Sequence, residues 1–301
     1  MMRVNVFTNL RAITLVATVA LLAPGATRAL AAPGPSIAIL RAAGASEVQN
    51  VAVRMPNADP ATESDQPLQV LIALHGMGGR GADFGGALAS QADANNWVIV
   101  SPTIAYGDWT NPDQIAREEP ALIAWLSDYV ASLGQHIGVP VQPRVLLFGH
   151  SRGAQLALRF TEVHPDQVAG VAAVSAGTYT LPVSTDPTTG AALDYPYGIA
   201  DLAQADGGQA FNASGFNSVP IWVGVGGADN NAADVPSAWT PYIGTTRVDR
   251  ATHFVQALQS LGANASLTVF PNTDHTLTDE MRVAGCNQLA ADASAADAAL
   301  S

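Results

Sequence analysis

Short apolar runs alternate with amphipathic stretches along most of this chain. That order restricts it to a largely parallel sheet with helices on both faces, an α/β architecture. Leu68–Leu74 (LQVLIAL) and Arg144–Phe148 (RVLLF) are nearly continuous apolar segments, as expected of strands buried on both sides. Further strands are read at Ser36–Leu40, Val48–Arg54, Trp97–Ser101, Val168–Ser175, Ile221–Val225 and Ala265–Phe270. Helical spacing of apolar residues predicts helices over Asp83–Asn95, Glu118–Ile137, from Arg152 onward, over Arg247–Leu261 and over Thr278–Ala298. Residues 177–218 carry Gly, Pro, Thr and Asp with no strong period. A stretch of that length is either a small lid-like insertion bearing Tyr195, Tyr197, Phe211 and Phe216 or a surface excursion.

With 301 residues, 48% hydrophobic and 13% charged, the chain has enough apolar surface for a large core. No linker-like stretch divides it, so residues 32–301 are read as one catalytic domain.

Between the Arg144–Phe148 strand and the helix after it stands Gly149-His150-Ser151-Arg152-Gly153. A G-x-S-x-G string placed at a strand-to-helix turn lifts the serine hydroxyl clear of the sheet, making Ser151 the expected nucleophile. Serine needs a neighbouring imidazole to accept its proton. His275, in the polar loop Asn272-Thr273-Asp274-His275-Thr276 after the last strand, is the expected base. His136, His164 and His253 lie in helices or turns and are read as surface or capping residues. Asp229, in the loop after Ile221–Val225, is the expected partner of the imidazole, with Asp234 as runner-up. Asp274 is adjacent to His275 and badly placed to orient that ring.

The turn His75-Gly76-Met77-Gly78-Gly79 follows a buried strand. Its Met77 N–H and the Arg152 N–H are the expected donors to an oxyanion. Trp109, His150 and Trp239 are candidate substrate-pocket residues. This chemistry needs neither a metal nor an organic cofactor, and the lone Cys286 is read as a small packing residue.

With Ser151, Asp229 and His275 in that order and His75-Gly76 upstream, the chain resembles the α/β-hydrolase superfamily. The resemblance runs from about Val48 to Met281. Within that superfamily it looks most like the secreted esterase and polyester-depolymerase-like branches, including feruloyl-esterase and poly(3-hydroxybutyrate)-depolymerase relatives. The resemblance implies a serine esterase acting through an acyl-enzyme, on small or polymeric esters. Two positions depart from the pattern. Arg152 stands where many relatives have a small residue, so its side chain could crowd or charge the site, and Asp274 stands where many have glycine.

Residues 1–31 read as a signal peptide. Arg3 and Arg11 precede the apolar Ala12–Ala23, Pro24-Gly25 ends that run, and Ala29-Leu30-Ala31 supplies a cleavage site after Ala31. Twelve helical residues span about 18 Å, short of a roughly 30 Å hydrocarbon core, so a permanent membrane anchor is not expected. Losing Arg3, Arg11 and Arg28 takes the formal charge from -12 to about -15 in the exported form. All 13 basic residues are arginine and none are clustered, which argues against nucleic acid as a partner. A serine peptidase or amidase could use the same residues. A non-catalytic secreted binding protein would have no need of all of them.

Overall fold

A computed structural model describes residues 37–40, 45–57, 66–205, 208 and 210–300. The expected signal peptide and its cleavage site lie outside the described residues.

The eight strands are β1 (Ile37–Leu40), β2 (Val48–Arg54), β3 (Val70–Leu74), β4 (Val98–Ile104), β5 (Val145–His150), β6 (Val168–Val174), β7 (Ile221–Gly226) and β8 (Ala265–Phe270). They form one sheet in the order β1-β2-β4-β3-β5-β6-β7-β8. β1 and β2 pair antiparallel and β2 runs antiparallel to β4, while the strands from β4 across to β8 are parallel. The helices are α1 (Gly81–Ala87), α2 (Ala89–Ala94), α3 (Pro112–Ala131), α4 (Leu133–Ile137), α5 (Arg152–Val163), α6 (Leu202–Ala205), α7 (Ala213–Ser218), α8 (Thr240–Ile243), α9 (Arg247–Ser260) and α10 (Asp279–Leu300).

Side chains alternate across a strand, and the core divides accordingly. Val70, Ile72 and Leu74 of β3 belong to one apolar cluster, shared with α3, α5 and α9. Leu71 and Ala73 belong to the other, shared with Leu88, Trp97, Met281 and Leu289. Cys286 is buried in this second layer. Burial pushes its thiol up to about 12, so it stays protonated and packs as a small apolar group.

Several elements differ from the sequence reading, among them the expected Glu118–Ile137 helix, which breaks at Ser132 into α3 and α4, and the expected Trp97–Ser101 strand, which runs to Ile104. The expected Asp83–Asn95 helix is two short helices meeting at Leu88. α3 starts at Pro112 rather than near Glu118, because the Asn111 side chain accepts from the Asp113 and Gln114 N–H groups and Pro112 supplies a preset first turn. Another is the 177–218 stretch, whose described residues divide into buried positions and an exposed run over 187–192. Gly177–Leu181, Leu193, Tyr195 and Phe216 are buried, and the Tyr195 hydroxyl donates to Glu119 of α3 at 2.7 Å. These buried positions tie the segment to the core.

Candidate active site

Ser151, Asp229 and His275 converge where the parallel strands end, the usual place for a site in an open α/β sheet. β5 runs directly into Ser151, which begins α5 with φ 54° and ψ -115°. Such a backbone is strained for a residue with a side chain and persists only where its surroundings enforce it. The Ser151 N–H is tied to the Val174 carbonyl at 2.8 Å. The two flanking glycines are required sterically. A Cβ on Gly149 would lie 2.5 Å from the Gly153 carbonyl oxygen, and one on Gly153 would lie 2.0 Å from the Leu74 carbonyl oxygen.

Asp229 and His275 arrive from the loops after β7 and β8. These loops interlock: the Ala228 N–H donates to Thr273 O at 2.9 Å and the Gly227 N–H to Phe270 O at 2.8 Å. Gly226 makes the approach possible, since a Cβ there would sit 2.2 Å from Thr273 O and 2.3 Å from Asp274 O. The result is a continuous array. His275 Nδ1 lies 2.8 Å from Asp229 Oδ2, and His275 Nε2 lies 3.0 Å from Ser151 Oγ.

Burial pushes the Asp229 carboxyl up, but the His275 hydrogen bond and the Arg247 charge outweigh it and hold it below the usual range. Asp229 is therefore a carboxylate that can only accept, so the imidazole proton belongs on Nδ1 and Nε2 is free to accept from the serine. Asp234 is exposed, and its hydrogen bonds run through its backbone: the N–H donates to Asn231 O at 3.1 Å and the carbonyl accepts from Arg247 Nη2 at 2.8 Å. Asp274 is turned to its own loop, where its carboxylate accepts from the Thr276 N–H. Among the described residues, neither carboxylate is hydrogen-bonded to the His275 ring.

The His75–Gly79 turn flanks the serine. A Cβ on Gly76 would be 3.2 Å from Ser151 Cβ and 3.3 Å from His150 Nδ1. His75 is buried. Its Nδ1–H donates to Gly76 O at 2.6 Å, and its Nε2 accepts from the Ile104 N–H at 3.0 Å. Desolvation lowers its pKa, so it is a neutral brace joining the turn to β4. Among the described residues, neither the Met77 nor the Arg152 backbone N–H makes a hydrogen bond to another backbone group, which leaves both available at the expected oxyanion position. His150 lines the cleft, and its Nε2–H donates to the His275 carbonyl at 3.1 Å. Desolvation and then the neighbouring His275 push His150 down to about 4, so it too is neutral at physiological pH.

Two sequence expectations need correction. Arg152 neither crowds nor charges the cleft. Its side chain is buried, paired with Glu119 and 3.7 Å from Glu118, with the guanidinium 5.0 Å from the Tyr106 ring centre. Trp239 is wholly buried, its indole N–H donating to Tyr179 O at 3.1 Å; it is a core residue and not a pocket wall. Trp109 is half-buried. Its ring packs on Gly177 and faces the Arg247 guanidinium at 5.7 Å.

Sequence reasoning missed two participants, Arg247 and Glu119. Arg247 Nη1 donates to Asp229 Oδ1 at 2.9 Å. Glu119 receives Arg152, Arg159 and Tyr195 in a network buried beneath α5. Its signal was available, for an acid stands three and seven residues before Leu122 and Leu126, on the apolar face of α3.

The cleft above Ser151 encloses about 610 Å³. Met77, Arg80 and Phe84 lie on one bank and Leu277 and Arg282 on the other, with His150 and His275 at the serine. Among the described residues no cluster of His, Cys, Asp and Glu is arranged to hold a metal ion, and no helix is long and apolar enough to cross a membrane.

Several solved structures share this architecture. Poly(aspartic acid) hydrolase-1 from Sphingomonas sp. KT-1 superposes with a TM-score of 0.61 at 22% identity, covering 85% of this chain and 97% of that one. The chain has the α/β-hydrolase fold. An S-formylglutathione hydrolase from Agrobacterium tumefaciens gives 0.55 at 17% identity, over 88% and 97%. Fluorophosphonate-binding serine hydrolase F of Staphylococcus aureus gives 0.53 at 16%, over 85% and 99%. No family model and no curated protein matches the sequence.

Proposed function

We propose that this protein is an exported serine hydrolase that cleaves carboxylic esters through a Ser151–His275–Asp229 triad. The observation that carries the reading is the hydrogen-bonded series at 3.0 and 2.8 Å, with Ser151 held on a strained turn at the mouth of a cleft. His275 takes the Ser151 proton as Oγ attacks the carbonyl carbon, and Asp229 stabilises the imidazolium that forms. The Met77 and Arg152 N–H groups receive the developing oxyanion. His275 then protonates the leaving alcohol, and water, activated by the same imidazole, releases the acid.

The structural neighbours support hydrolytic chemistry, being described as a poly(aspartic acid) hydrolase, an S-formylglutathione hydrolase and a fluorophosphonate-binding serine hydrolase. The cleft mixes apolar Met77, Phe84 and Leu277 with Arg80 and Arg282, a lining compatible with aryl esters and with segments of a polyester. Export rests on residues 1–31 alone, and N-terminal sequencing of the secreted protein should begin at Ala32.

Labelling by a fluorescent fluorophosphonate tests the central claim. The native chain should label, and Ser151→Ala should not while keeping its circular dichroism spectrum. A folded native chain that resists the probe overturns the reading. Matched ester and amide substrates decide between an esterase and an amidase built on the same triad.

A further inference from the structure

The Asp229 carboxylate is gripped from two sides. Oδ2 faces His275 Nδ1 at 2.8 Å and Oδ1 accepts from Arg247 Nη1 at 2.9 Å. We propose that Arg247 is a positioning residue for hydrolysis, fixing the rotation of the Asp229 carboxylate and drawing part of its charge away from the imidazole. The inference rests on the hydrolase reading above.

Arg247 is itself held in place. Its Nη2 donates to Asp234 O at 2.8 Å, and its guanidinium faces the Trp109 ring. That ring is seated on Gly177, where a Cβ would meet Trp109 Cζ3 at 2.5 Å. Trp109, Arg247, Asp229, His275 and Ser151 thus form one chain of contacts. Nothing about α9 alone calls for a cation here. Arg247 opens that helix just after the Thr246 N-cap, at the end where the helix dipole disfavours positive charge. It is only 5% exposed and does not line the cleft, so a role in contacting substrate does not account for it.

A guanidinium on the far oxygen has two effects on the array. It bars the carboxylate from turning, which keeps Oδ2 aimed at Nδ1 as the serine loses its proton. It also offsets the negative charge that would otherwise favour the imidazolium at rest. The charged and titratable groups around His275 include Asp229, Arg247, the neutral His150 and the exposed Asp274, and Arg80, Asp83 and Arg282 line the same cleft. Around Asp229 and Arg247 they are His275, Tyr179 and Arg250. Arg247 is the one cation among them bonded to the acid.

The test is the pH dependence of kcat/KM for an activated aryl ester. In Arg247→Met the acid limb should move to higher pH by about one unit, since removing a like charge from the neighbourhood of the imidazolium makes that form easier to populate. The plateau kcat should fall about tenfold, as expected when an orienting partner is removed, with KM within about twofold. Arg247→Lys, which keeps the charge without the planar fork, should restore the acid limb and only part of kcat. A folded Arg247→Met enzyme whose acid limb coincides with that of the native protein overturns the proposal. If Arg247→Met does not fold, Arg247→Gln removes the charge and keeps a donor, and an unmoved limb there overturns it equally. Failure of the native protein to label or turn over would instead refute the hydrolase reading, so the two failures are distinct.

Discussion

The guanidinium of Arg152 is buried against the carboxylate of Glu119, although its backbone is next to Ser151. The side chain is 1% exposed and Glu119 is fully enclosed. Burial pushes the Glu119 carboxyl up, but the charges of Arg152 and Arg159 prevail and hold it ionised. One carboxylate therefore anchors both arginines of the polar stripe on α5, whose Arg152, Gln155, Arg159 and Glu162 fall at helical spacing within a helix buried on every side.

Removing that carboxylate should be costly. Glu119→Ala leaves two buried guanidiniums without their shared partner, and a loss of roughly 3–5 kcal/mol is expected from breaking a buried pair on one side. Urea unfolding of Glu119→Ala and Glu119→Gln measures it, and Gln, which keeps acceptor capacity, should lose less.

The acid should be identifiable by a pair of amides. Asp229→Asn is expected to lower kcat by about 10⁴, the scale seen when the imidazole is left in the wrong tautomer. Asp234→Asn should leave kcat within about twofold, because surface substitutions away from a site are nearly neutral. Parallel steady-state kinetics on one ester compares them, and the reverse order would place the acid at 234.

Two glycines near the serine should respond differently to alanine. In Gly153→Ala the new methyl would lie 2.0 Å from Leu74 O and 2.6 Å from His75 O. Backbone must move, and a loss above about 4 kcal/mol or failure to fold is expected. In Gly76→Ala the nearest atoms are Ser151 Cβ at 3.2 Å and His150 Nδ1 at 3.3 Å. That variant should fold with a Tm within a few degrees of native, while kcat drops about 10-fold or more through misplacement of the serine. Thermal melts and kcat for both variants check the contrast.

Glu162 should make the protein less stable as pH rises. Both its oxygens are buried without a hydrogen-bond partner. Burial raises its carboxyl well above the ordinary value, against the pull of Arg159. The folded state thus keeps a proton that the unfolded chain releases above about pH 4.3, so stability falls as pH climbs from there toward the folded value. Glu162→Gln removes this dependence. Its Tm should exceed that of the native protein at pH 7–8, and the gap should close toward pH 4 in a series of melts.

Much of this site could be read from the chain because its parts are local. A buried strand, a glycine-flanked serine and a helix are contiguous in sequence, and Asp229 and His275 each follow a recognisable strand. The partners that hold those parts come from elsewhere. Arg247 lies 18 residues from Asp229, and Glu119 lies 33 from Arg152. Nothing in the periodicity of α9 marks its first residue as a ligand of a distant acid. The 177–218 stretch escaped for a related reason. Its order comes from contacts such as Tyr195 with Glu119 and Thr180 with Arg159, not from a repeating pattern of its own. The start of α3 was legible in principle, since Asn111-Pro112 is a cap followed by a preset first turn.

Gly149 and Gly153 wedge Ser151 between β3 and α5 so closely that neither position has volume to spare. Seen as material for adaptation, the floor of this cleft is closed, and novelty must enter from its banks. A directed-evolution library confined to Met77, Arg80, Phe84, Leu277 and Arg282 would explore substrate choice while sparing the scaffold. Naturally diverged copies of this chain should differ most at those same five places.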